Sequence, residues 1–65
     1  MNLKDFKKLG IGDLVVMKKI RAEVVERYGG LARVQYLKSG YQVWKKARQL
    51  RLISRAGHWK KGETQ

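Results

Sequence analysis

Apolar residues recur at every third position at the start of the chain, as Leu3, Phe6 and Leu9, with Lys4, Asp5, Lys7 and Lys8 between them. That spacing predicts one apolar face of a short helix. Asn2 is placed to cap it, Asp5 stands in the capping-box position, and Gly10 stops it, since glycine accepts a left-handed backbone cheaply. Two helical turns do not persist alone in water, so residues 1–10 are expected to pack their apolar face on the rest of the chain.

From Gly12 the period shortens to two, the period of strands. Gly12-Asp13 is turn chemistry, and Leu14–Met17 is an apolar run of strand length ended by Lys18-Lys19. Ile20–Tyr28 then alternates, with Ile20, Ala22 and Val24 on one side and Arg21 and Glu23 on the other. The adjacent Val24-Val25 pair breaks the alternation and predicts a bulge. Gly29-Gly30 predicts a two-residue hairpin with positive φ at both positions. Leu31–Leu37 follows, then a Lys38-Ser39-Gly40 turn and a strand over Tyr41–Trp44. Lys45–Gln49 is too polar for a core strand and fits one tight helical turn, and Leu50–Ile53 closes the series. Tyr28 and Tyr36 are read as packing residues. Five short strands joined by tight turns predict a mainly β fold, closed or nearly closed as a small barrel over residues 11–53. Residues 54–65, with Trp59 as their one large apolar side chain, are read as a basic flexible tail.

Length and composition narrow the class. A chain of 65 residues holds one small core, and domains near this size bury only about 60% of the surface their unfolded chains expose. With no cysteine and one histidine, a disulfide framework and a cysteine-based zinc site are excluded. The core must come from packing, within the chain or shared with another subunit. The lack of cysteine fits a reducing cytoplasm. No apolar run reaches the roughly 18 residues of a spanning helix, and the first nine residues contain no uninterrupted apolar stretch of the signal-peptide kind. A cytoplasmic protein is expected.

Charge changes the picture most. Sixteen Lys and Arg against five Asp and Glu give a formal charge of +11. Like charge at that density opposes compaction, and a polyanionic partner is the usual reason to keep it. The excess is uneven. Arg21 and Arg27 are offset by Glu23 and Glu26, whereas residues 45–61 carry Lys45, Lys46, Arg48, Arg51, Arg55, Lys60 and Lys61 with no acid among them. Cations that neutralise phosphates release condensed counterions, which drives association. Arg33 and Lys38 are expected to join this patch from the neighbouring hairpin. Tyr41, Trp44 and Trp59 are interleaved with it and suit stacking on unpaired bases, although Trp44, beside Val43, is equally placed for the core.

Catalysis finds little support. Asp5, Asp13, Glu23, Glu26 and Glu63 form no recognisable metal pair, and Glu23 and Glu26 face opposite ways unless a bulge intervenes. Ser39 and Ser54 lack a nucleophile motif, and His58 stands alone. The expectation is a non-enzymatic nucleic-acid-binding accessory protein, DNA ranked ahead of RNA, with no cofactor and no metal. An anionic membrane is the weaker polyanion, since no long cationic amphipathic helix is present. The alternative from another class is an interaction module that docks on an acidic protein. A compact basic protein of this kind also suits a phage or other mobile element.

The order of elements carries a resemblance. Gly12-Asp13-Leu14-Val15, two hairpins, Val43-Trp44, a one-turn polar connector and Leu50-Arg51-Leu52-Ile53 are similar, over residues 12–53, to the SH3-like small barrels, including Tudor-like and retroviral-type integrase C-terminal domains. The resemblance implies a five-stranded barrel with a one-turn 3₁₀ helix before the last strand, and binding of DNA, RNA, peptides or methylated side chains. The glycine pattern of ribosomal KOW motifs is absent, and no Tudor-type aromatic cage can be placed. Gly12-Asp13 and Gln42-Val43-Trp44 also faintly resemble type II dihydrofolate reductases carried on plasmids, but the downstream spacing differs and the substrate-side loops are shorter.

Overall fold

The computed structural model describes residues 3–59. It contains one helical turn, α1 (Leu3–Phe6), and five strands: β1 (Leu14–Met17), β2 (Ile20–Tyr28), β3 (Leu31–Tyr36), β4 (Gln42–Lys46) and β5 (Arg51–Ser54). A 3₁₀ turn, Ala47–Gln49, joins β4 to β5. The strands form a single antiparallel sheet in the order β4-β3-β2-β1-β5.

The N-terminal helix is shorter than its apolar spacing predicts. After Phe6 the chain tightens, with Lys8 N–H on the Asp5 carbonyl and Leu9 N–H on the Phe6 carbonyl, both at 3.0 Å. This i+3 pattern still turns Phe6 and Leu9 to the same side, and both are buried. The Asn2 cap and the Leu3 side chain lie outside the described residues. Elsewhere the core is built of aliphatic side chains and one methionine: Val15, Met17, Ala22, Val24, Ala32, Val34, Ala47 and Leu50, flanked by Tyr36, Val43 and Leu52. Phe6, the one phenylalanine in the chain, is therefore its aromatic member. Burying one such side chain stabilises by about 1.5–3 kcal/mol, so the N-terminal turn acts as a plug rather than an appendage.

The bulge expected at Val24-Val25 is present. Val24 pairs with Val34 and Glu26 with Arg33, which leaves Val25 without a partner. One extra residue reverses strand parity. Ala22 and Val24 face the core before it, and Arg27, paired with buried Ala32, faces the core side after it. Glu23 and Glu26 consequently share the outer face, opposite Gln35 and Arg33.

The structure departs from the sequence reading at element boundaries and in one turn. Lys45 and Lys46 belong to β4, paired with Ala32 and Leu31, because a strand at the end of the sheet order tolerates lysine. The connector shrinks to Ala47–Gln49, closed by the Lys46 N–H donating to Gln49 Oε1 at 3.0 Å. Gly29 alone takes positive φ, 55°, in the β2–β3 turn, where the sequence predicts it for both glycines. Tyr36 packs against the core as predicted, but Tyr28 is 74% exposed at the end of β2.

Candidate nucleic-acid interface

The residues just past β5 are tied down, against the reading of 54–65 as a tail. Ser54 ends β5. Asp13 is buried to 3% exposure, and its carboxylate accepts three bonds: Gly10 N–H at 2.9 Å, Ala56 N–H at 2.8 Å and Arg55 Nη1 at 3.2 Å. Arg55 Nη1 also donates to the Lys8 carbonyl at 2.8 Å, and Trp59 Nε1 to the Gly12 carbonyl at 2.8 Å. A buried carboxylate is tolerable only when its lone pairs are met, and this closing segment meets them. Gly12 has φ 96°, and a Cβ there would stand 2.9 Å from Ala56 Cβ, so the approach of the two segments requires glycine. Two predicted phosphate or base ligands, Arg55 and Trp59, are thus engaged in holding the fold. Lys60 and Lys61 lie outside the described residues.

Two more arginines are similarly committed. Arg27, turned inward by the bulge, donates from Nη1 to the Phe6 and Leu9 carbonyls at 2.8 and 2.6 Å, and its guanidinium lies 4.0 Å from the Phe6 ring centroid. It closes the C-terminal end of the plug. Arg33 pairs with Glu26 across the bulge and sits 5.6 Å from the Trp44 ring centroid. The outer face of β2-β3-β4 thus carries a row of Glu26, Arg33 and Trp44. Trp44 is 43% exposed, which settles its position outside the core.

The other predicted residues divide between places. Lys46 is exposed on the same outer face as Trp44. Lys45, its neighbour, is half-buried on the core side. Tyr41 lies against Tyr36, with ring centroids 6.2 Å apart, and so does not share a face with Trp44. Lys38 is exposed in the β3–β4 turn. Arg48 and Arg51 meet at the far end of the sheet order, in a shallow cleft of about 340 Å³ lined also by Val16, Lys18, Gln49 and Leu50. Val16 pairs with Arg21 on one side and Arg51 on the other, so both arginines flank it on the outer face.

Lys18 and Arg21 escape the sequence reading. Arg21 is discounted there because Glu23 lies two residues away. Counting charge along the chain obscures that the strand pairing places Arg21 beside Arg51 across β1. The usable signal is Lys18-Lys19 between two strand patterns, which marks a two-residue turn at a sheet corner.

Among the described residues, the ion pairs are Arg33–Glu26 and Arg55–Asp13. No group of three His, Cys, Asp or Glu side chains gathers there as a metal site, and no helix there is long and apolar enough to cross a membrane. Comparison with protein-family models, with curated proteins and with solved structures returns no match.

Proposed function

We propose that this chain is a small nucleic-acid-binding protein, built as an SH3-like barrel, that holds the phosphate backbone electrostatically and performs no catalysis. The observation that carries the reading is the division of its cations. Arg27, Arg33 and Arg55 are spent on carbonyls and carboxylates of the fold. Lys18, Arg21, Lys38, Lys46, Arg48 and Arg51 are exposed, and none of them forms an ion pair among the described residues. Exposed like charges without compensation raise the free energy of the folded state. A polyanion relieves that repulsion and gains the entropy of released counterions. DNA is the preferred partner and RNA the second.

Barrel closure is supported by connectivity. β4 and β5 stand at opposite ends of the order and are joined directly by the 3₁₀ turn, while the bulge bends the long β2. A strand bent in this way can serve both halves of a small barrel.

Gel mobility shift with duplex DNA, single-stranded DNA and structured RNA over a salt series tests the function. Binding is expected at low salt, with log K falling linearly in log salt at about 0.9 per phosphate contacted on a duplex. A protein that shifts none of these at low salt overturns the reading and leaves docking on an acidic protein as the better account.

A further inference from the structure

We propose that the phosphodiester backbone is gripped in the cleft between the β1–β2 turn and the 3₁₀–β5 segment, with Lys18, Arg21, Arg48 and Arg51 as the contacting cations. This inference rests on the nucleic-acid reading above and adds its locus, its ligand chemistry and two residues outside the 45–61 basic run.

Three chain segments meet at the cleft, and each contributes a cation. Lys18 comes from the β1–β2 turn, Arg48 from the 3₁₀ turn and Arg51 from the start of β5. Arg21 stands across β1 from Arg51, with Val16 between them. Their backbones are two strand spacings apart, roughly 10 Å. Val16 and Leu50 supply an apolar floor, and low-dielectric walls focus the field of the surrounding charges.

The hydrogen-bonding character of the lining selects the ligand. The charged side chains are donors only. The one lining side chain with an acceptor, Gln49, already has Oε1 engaged by the Lys46 N–H. Base edges present donors and acceptors together, whereas phosphate oxygens only accept. A lining of unmatched donors therefore suits the backbone and carries no sequence information.

The backbone at Lys18 is the independent observation. Met17 pairs with Ile20, so Lys18-Lys19 is a two-residue turn, and Lys18 has φ 60°. Positive φ at the first position alone is the II′ pattern, whose usual occupant there is glycine. The β2–β3 turn has the same pattern and does use glycine, Gly29 at φ 55°. A lysine held in a glycine conformation, at the lip of a cationic cleft, marks a position where the side chain outweighs the backbone strain.

Fluorescence anisotropy with labelled duplexes of two unrelated sequences, and with single strands, tests the cleft. Lys18→Gly should weaken binding to both duplexes alike while the melting temperature holds or rises, a combination a structural lysine does not give. The variant combining Arg21→Gln, Arg48→Gln and Arg51→Gln should lower the salt slope by about 0.9 for each phosphate no longer neutralised and weaken binding about tenfold or more at low salt. Arg33→Gln with Trp44→Ala, on β3 and β4 at the opposite end of the sheet order, should retain most of the affinity. If the parent binds but the cleft variants match it while the Arg33/Trp44 variant fails, the cleft is wrong and the nucleic-acid reading stands. A parent that binds no nucleic acid, or prefers phosphatidylglycerol vesicles to either duplex, overturns both. Should the triple variant not fold, Lys18→Gly decides alone.

Discussion

The two ends of β2 use arginine in different ways. Near its start, Arg21 points outward beside Val16 and Arg51, exposed to solvent. Past the bulge, Arg27 points to the core side and binds two carbonyls of the N-terminal turn. Both lie within two residues of a glutamate, Glu23 or Glu26, and charge counting treats them alike. What separates them is Val25, the extra residue that reverses parity between them. A single backbone irregularity thus decides which arginine is bound into the fold and which stays exposed to solvent.

Breaking the structural side should give the largest effects. Arg27→Ala removes charged hydrogen bonds to the Phe6 and Leu9 carbonyls and is expected to cost about 2–3 kcal/mol. In a domain of this size that lowers the melting temperature by about 10–20 °C. Thermal denaturation followed by circular dichroism checks it, and a shift of only a degree or two would mean that the plug holds without its latch.

Removing residues 55–65 comes next. Composition alone suggests that removing residues 54–65 leaves the fold intact, because little apolar area is lost. With Asp13 buried and two of its three partners, Arg55 and Ala56, in that segment, a loss of about 1–3 kcal/mol is expected instead. Urea denaturation reads it, and an unchanged midpoint would return the segment to tail status. Gly12→Ala probes the same junction from the other side and should destabilise comparably, since a positive φ in a non-glycine residue costs about 1–3 kcal/mol.

Smaller effects sharpen the contrast. Arg33→Gln should cost about 1 kcal/mol, because its partner Glu26 and the Trp44 ring are both partly solvated. Arg48→Gln with Arg51→Gln should change stability by no more than about 0.5 kcal/mol and yet weaken nucleic-acid binding. Stability loss without affinity loss at Arg27, and the reverse at Arg48 and Arg51, is the double dissociation that the division of cations requires.

Much of the fold is legible in the chain. Alternation places all five strands to within two residues, and the Val24-Val25 pair announces the bulge because it breaks the strict alternation of Ile20, Ala22 and Val24 with Arg21 and Glu23. What escapes follows from pairing, which the chain's own order does not display. Arg27 is hidden because its destination depends on the parity change and on a turn some twenty residues away in the chain. The Asp13 cluster is hidden because two of its three partners, Arg55 and Ala56, are more than forty residues distant. Tyr28 is misplaced because alternation carried past the bulge assigns it the wrong side. Of the predicted interface, Arg48 and Arg51 come together and Arg33 joins Trp44, whereas Arg55 and Trp59 are drawn into the fold.

Proposed phosphate binding by the cations that the fold leaves unpaired must show itself in the response to salt. The slope of log K against log salt for the intact protein on duplex DNA measures it most directly. The account predicts a straight line with a slope of several units, about 0.9 for each phosphate neutralised. A flat line, or no binding at low salt, would contradict it.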